Sequence, residues 1–384
     1  MNTQERAPTR PLLALAFLVL AGCHTPPTLP GSPPDLLDLG SDAWRLPPPL
    51  LAFSSDASHF LAAGERQTVR LYDSQRHTAI DQFISANRLD RILGAGFLES
   101  GAYYIANEER NGKHLQRVTL RVASPSQTGP RLERHFRYQG DRPVVANARY
   151  AGYYNQWMDW HTGQLTERVP TAHPGGAGSY RLTEAGAVLT TDVNRDLLVL
   201  HDPLTGRSTR WKSGLHLDDA ALLQGGRQAV TAGDEGACEV WTLPDPRLVG
   251  TCPGAWFSSG FTQLAVAPKA PLFVVAHETR ARVYTLDPLR LVHEVETTSP
   301  VSAVALSDGG HLAVGCQDGS VTLWDAPARM AVGALKVLDG AGQPLSSIQH
   351  LAVSDHGWVL VSGWGNNQGE LHVLRTQEAA RRAP

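Results

Sequence analysis

The chain has 384 residues, with Gly 36 and Pro 26 together making up about 16% of it and charged residues only 18%. Average domains carry about 12% Gly plus Pro and about 25% charge, so this is a turn-rich globular chain, neither collagen-like nor disordered. The formal net charge of −3 leaves no basic field to hold a phosphate backbone by counterion release, which argues against nucleic acid as a partner.

At the N-terminus, Arg6 and Arg10 precede the apolar run Leu12–Leu20, which ends in Ala21, Gly22 and Cys23. A positive region, a short apolar stretch and small residues at a cut site predict a secretory signal peptide over residues 1–22. The run is too short to cross about 30 Å of hydrocarbon as a helix. Leu20-Ala21-Gly22-Cys23 resembles the lipobox of bacterial lipoproteins. The resemblance implies that Cys23 becomes the first mature residue and carries diacylglycerol, a membrane anchor, in an exported protein of the bacterial cell envelope. The alternative is an ordinary secretory signal with a cysteine nearby. His24 follows Cys23 where the family's inner-membrane retention signal has Asp, which favours the outer membrane. Residues 23–41 then read as the lipidated Cys and a Pro-rich tether, at about 3.1 Å per residue in extended form.

A repeat follows. Val301–Asp325 reads as an apolar strand, a turn at Ser307-Asp308-Gly309-Gly310, a second strand, a turn at Asp318-Gly319, and an alternating strand ending in Trp324-Asp325. Tight turns between short alternating runs predict hairpin-connected strands, and a fourth follows at Ala331–Leu335. Leu51–Asp73 has the same grammar, ending in Tyr72-Asp73. These units resemble the WD-repeat β-propeller family, which implies an all-β ring of four-stranded antiparallel blades. Residues at the Trp position of successive units are Tyr72, roughly Leu120, Trp160, His201, Trp241, Tyr284, Trp324 and Leu374. The spacings of about 40–50 residues suit one blade each. Eight blades are therefore expected over residues 42–376, with seven as the alternative, and 377–384 form a polar tail. Asp42–Leu46 is the candidate outer strand that closes the ring, if it is not a continuation of the tether.

In the family, a hydrogen-bond network of Asp, Ser or Thr, His and Trp steadies each blade. Here Asp318 stands six residues before Trp324, but Val314 occupies the Ser/Thr position and Glu296–Pro300, just before Val301, include no His. Asp318 thus reads as a turn residue. Cys238 and Cys252 fall opposite each other if their hairpin is centred on Asp245, a spacing that suits a disulfide in an exported protein; two separate thiols are the alternative. Cys316 has no evident partner and reads as a small core residue. The 15 His are scattered, without Cys-x-x-Cys or His-Glu-x-x-His, and no phosphate-binding or nucleophile motif occurs, so neither metal nor cofactor is expected. Tyr150, Tyr153, Tyr154, Trp157 and Trp160 crowd the third unit, chiefly as core. Trp364, with Asn366 and Asn367, is expected in an exposed turn and is the candidate contact site for a protein partner. The expected function is a membrane-anchored, non-catalytic interaction scaffold. The alternative is a propeller enzyme, of lactonase or quinone-dependent dehydrogenase type, with carboxylates or histidines converging on the central channel.

Overall fold

The computed structural model describes residues 35–38, 50–64, 68–76, 78–85, 90–98, 100–111, 114–125, 132–137, 143–172, 180–254, 262–267, 269–365 and 368–375. They form eight four-stranded antiparallel sheets arranged as a propeller ring, with no α-helix among the described residues. Blade 1 is β2–β5 (Leu50–Phe53, His59–Ala63, Thr68–Asp73, Thr78–Ile84) and blade 2 is β6–β9 (Ile92–Phe97, Tyr103–Asn111, His114–Ala123, Leu132–Arg137). Blade 3 is β10–β13 (Val144–Ala146, Tyr150–Tyr153, Gln156–Asp159, Gln164–Thr166), and blade 4 is β14–β17 (Tyr180–Leu182, Val188–Asp192, Leu197–His201, Ser208–Lys212). Blade 5 is β18–β21 (Leu217–Leu223, Gln228–Gly233, Cys238–Thr242, Leu248–Cys252), and blade 6 is β22–β25 (Gln263–Val266, Leu272–His277, Arg280–Leu286, Leu289–Glu296). Blade 7 is β26–β29 (Val301–Leu306, His311–Cys316, Ser320–Asp325, Met330–Lys336). Blade 8 is β30–β32 (Ser347–Val353, Trp358–Gly365, Gln368–Arg375), completed on its outer edge by β1 (Asp35–Asp38).

The ring therefore closes by a strand from the start of the chain, as expected in kind, but not at the expected place. Asp35 pairs with Arg375 and Asp38 with His372, so the closing strand lies within the segment read as tether, while residues 42–46 lie outside the described residues. A four-residue strand amid prolines has too little alternation to stand out in the sequence. What selects it is the open edge of β32, which needs a partner.

Each blade is covered on both faces by its neighbours, which explains why the second strands are buried almost throughout. Leu272–His277 and His311–Cys316 expose only their first residues appreciably. Val274 and Val283 of blade 6 pack with Leu312 and Val314 of blade 7, and Val321 and Leu323 pack with Val359 and Val361 of blade 8. The aromatics of blade 3 follow the same rule: Tyr150, Tyr153, Trp157 and Trp160 are buried and only Tyr154 is half-exposed. In blades 1, 5, 6 and 7 the pairing of the third and outer strands shifts by one residue just before Tyr72, Trp241, Tyr284 and Trp324. Such bulges increase the local twist that a blade needs. Registers refine two positions of the repeat. Where Leu312 pairs with Trp324, Tyr103 pairs with Ala123 and Ala151 with Met158, so Ala123 and Met158, not Leu120 and Trp160, hold the Trp position in blades 2 and 3.

Cys238 and Cys252 are directly opposed across β20 and β21 and form a disulfide, with Cα atoms 4.8 Å apart. Closing a loop of this length constrains the unfolded chain by about 3 kcal/mol. Replacing both cysteines with Ala is expected to lower the unfolding free energy by about that amount, and a urea titration in which the double variant matches the parent would contradict it. Disulfides persist in oxidising compartments, which agrees with export.

Candidate functional site

With strands a to d counted from the channel outward, all a–b turns fall on one face of the ring and all b–c turns on the other. On the a–b face, adjacent blades are stitched through their turns. Asn147 donates to the Thr183 carbonyl at 2.7 Å, and Glu184 N–H to the Gly225 carbonyl at 3.3 Å. Asp308 accepts from Ala270 N–H at 2.9 Å and Asp355 from Gly309 N–H at 2.6 Å. The c–d turns join this face, since Ala326 N–H reaches the Gly310 carbonyl and Leu243 N–H the Arg227 carbonyl. In blade 7, a Cβ at Gly310 (φ 83°) would stand 2.5 Å from the Pro327 ring, so the close approach of its two turns requires glycine there.

Aspartates organise these turns rather than form a reactive group. Asp73 accepts N–H groups of Gln75 and Arg76, Asp202 that of Leu204, and Asp325 that of Ala328. Burial pulls the Asp56 carboxyl upward, but hydrogen bonds from Ser54 and Ser58 outweigh it and hold the pKa at about 2. The Arg76 N–H lowers Asp73; Asp202 and Asp318 are lowered by turn hydrogen bonds that exceed the opposing effect of burial. Because these folded-state values lie below the unfolded ones, their stabilisation is full above the unfolded pKa and is lost as pH falls through the folded pKa. The urea midpoint is expected to drop between about pH 4 and pH 2; a flat profile over that range would contradict this role.

Asp318 accepts from Ser320 N–H at 3.1 Å and Ser320 Oγ at 2.6 Å, with Lys336 at 3.5 Å. It is a turn residue, as its sequence context predicts. The Trp324 Nε1 and Thr322 Oγ1 atoms are buried without a hydrogen-bond partner, so the network that steadies typical WD blades is not assembled in blade 7. Other residues grip between blades instead. Gln156 donates to and accepts from the Arg137 backbone at the end of blade 2 (2.6 and 3.0 Å), and Glu239 accepts Ser213 Oγ at 2.6 Å and Gly214 N–H at 3.0 Å at the end of blade 4. Arg282 donates to the Pro253 carbonyl at the end of blade 5 at 3.1 Å and pairs with Glu294 at 2.8 Å. All three stand two residues before the Trp position of their blade. The sequence reading missed them, although a polar residue recurring at one position of apolar third strands is a detectable signal once the units are aligned by register.

At its waist, between blades 1, 2, 6, 7 and 8, the channel holds a cavity of about 210 Å³ lined by Leu50, Leu51, Ala95, Ala303, Val304 and Leu351, with Gln263, Gln349 and His350. Opposite, Arg181 of β14 pairs with Asp219 of β18 at 3.2 Å. The described residues contain no group of three or more His, Cys, Asp or Glu placed to hold a metal ion. A wider cleft of about 870 Å³ opens between blades 4 and 5 on the a–b face. Leu200, Leu204, Leu243 and Pro244 form its apolar wall, and Glu184, Arg207 and Arg227 its rim. Arg207 is paired with Asp245 at 2.5 Å.

Trp364 is not in a turn. It belongs to β31, opposite Gly369 and Ser347, and is half-buried. The hairpin runs in strand pairing almost to its tip, so glycines flanking Trp364 mark close packing rather than a loop: a Cβ at Gly363 or Gly365 would stand 2.6 Å from the Ser347 carbonyl or 2.8 Å from Asp339 Cβ. The Trp364 carbonyl accepts Ser346 N–H at 2.8 Å, which joins the hairpin to the loop between blades 7 and 8. Leu338, in that loop, is exposed on the same b–c face. Asn366, Asn367 and Cys23 lie outside the described residues. Cys316 is buried, as its apolar context predicts.

The WD40 family (WD domain, G-beta repeat) matches residues 289–325. That stretch is the outer strand of blade 6 plus the three inner strands of blade 7, so one sequence repeat straddles two blades. No curated protein matches the chain.

Proposed function

We propose that this WD-repeat-like propeller is a non-catalytic protein-interaction scaffold, anchored by lipid at Cys23 in the envelope of a bacterium, in the outer membrane. The observation that carries the reading is the ring itself. Eight blades stabilise one another through buried faces, leaving turns and loops to vary. Such a disk presents a rigid surface suited to another protein. Trp364 and the adjoining loop from Leu338 to Pro344, on the b–c face, form the contact region together with Asn366 and Asn367. Buried aromatic anchors dominate interface energetics, so Trp364→Ala is expected to weaken partner binding by about 30-fold, the equivalent of about 2 kcal/mol. The test is cross-linking and co-purification of the tagged full chain from its own envelope, with parent, Trp364→Ala and Cys23→Ser side by side. Cys23→Ser is expected to move the protein from the detergent-rich to the aqueous phase. Unchanged partner recovery with Trp364→Ala would remove that region, and unchanged partitioning of Cys23→Ser would remove the anchor.

A further inference from the structure

The anchor reading has a geometric consequence, on which the following rests. The chain enters the ring at Asp35, which pairs with Arg375, and Arg375 in turn pairs with Trp358. Trp358 N–H donates to Ser354 Oγ in the a–b turn of blade 8. The first residue of β1 therefore stands on the a–b face. Cys23 is twelve residues upstream, at most about 40 Å of extended chain.

A second observation is independent of the anchor. Nine large apolar side chains are exposed among the described residues. Seven of them lie in c–d turns or in the first three residues of the outer strands, which is the a–b side of the disk; Leu204 and Met330, 58% and 53% exposed, are in or next to the c–d turns of blades 4 and 7. Only Ile84, at the far end of β5, and Leu338 lie toward the other face. The apolar cleft between blades 4 and 5 opens on the same side as the seven. Scattered exposed leucines are ordinary on any surface. Their concentration at one end of the outer strands is not what eight equivalent blades produce by chance placement.

We infer that the a–b face, with Leu204, Met330 and the cleft of blades 4 and 5, rests against the lipid surface that holds the Cys23 anchor, so that the b–c face with Trp364 points away from the bilayer. The occupant is a lipid interface rather than a protein. Chain entry brings this face to the membrane, and isolated aliphatic side chains around a rim suit shallow insertion at headgroup level better than a single packed protein contact. Tethering at Asp35 also makes each weak apolar contact effectively intramolecular.

The test uses the full lipidated chain in phosphatidylcholine–phosphatidylglycerol vesicles, in a Cys316→Ala background. An environment-sensitive fluorophore is placed by Leu204→Cys or Met330→Cys on one face, and by Thr279→Cys or Leu338→Cys on the other, with spin-labelled lipid as quencher. The expected result is at least twofold stronger quenching at positions 204 and 330 than at 279 and 338. Equal or reversed quenching, or none at any position, in protein that floats with the vesicles overturns the orientation and leaves the anchor standing. Failure of the lipidated parent to float, with Cys23→Ser no different, overturns the anchor and this inference together. Circular dichroism of each labelled variant identifies any that has not folded, and Leu248→Cys replaces it on the a–b face.

Discussion

Removing residues up to 40, and with them β1, is expected to weaken the junction of blades 8 and 1, leaving a protein that unfolds at lower denaturant and aggregates. The comparison is with the Cys23→Ser chain, so that loss of the lipid does not enter. Four register pairs join β1 to β32, and at about 1 kcal/mol per net hydrogen bond their loss alone costs about 4 kcal/mol. The larger effect is kinetic. Leu371, Val373 and Leu374 lie in a strand that would become an edge, and long apolar edges recruit other chains. Urea denaturation and light scattering on warming measure the two effects separately. A truncated protein with the parent's urea midpoint and no added scattering would show that β1 is dispensable.

Trp157→Ala is expected to destabilise the propeller by about 4 kcal/mol. Its ring is buried, stacked on Tyr150 at 4.9 Å, and its Nε1 donates to the Gly186 carbonyl of blade 4 at 2.8 Å. The substitution removes a large core volume and leaves a buried carbonyl of the neighbouring blade unpaired, two costs that add. Trp157→Phe retains most of the volume and loses the hydrogen bond, so it should cost about 1–2 kcal/mol. Thermal and urea midpoints of the three proteins rank them. Equal losses for Ala and Phe would assign the whole effect to the hydrogen bond. Less than about 1 kcal/mol for Ala would mean that the two blades are not held through this side chain.

Local periodicity determined a great deal. The strand–turn grammar of Val301–Asp325 and Leu51–Asp73 predicts hairpins, the spacing of units predicts eight blades, and the Cys238–Cys252 hairpin predicts its own disulfide. These succeed because alternation, turn residues and short hairpin registers are set within a few positions along the chain. The buried aromatics of blade 3 and the turn role of Asp318 were legible for the same reason.

The candidate contact site was less so. Trp364 looks like a loop residue between glycines, yet Gly363 and Gly365 are there because Ser347 and Asp339 approach closely, a fact that depends on the loop arriving from blade 7. The closing strand at Asp35–Asp38 was hidden for a related reason, since its partner lies more than 330 residues away. Gln156, Glu239 and Arg282 grip backbone of the preceding blade, and only the ring places those atoms opposite them. Which side chains share a face, and which end of the disk receives the start of the chain, likewise follows from closure. What neighbouring residues encode was written in the sequence; what blades do to one another was decided by the tertiary structure, because those contacts join positions with no fixed separation along the chain.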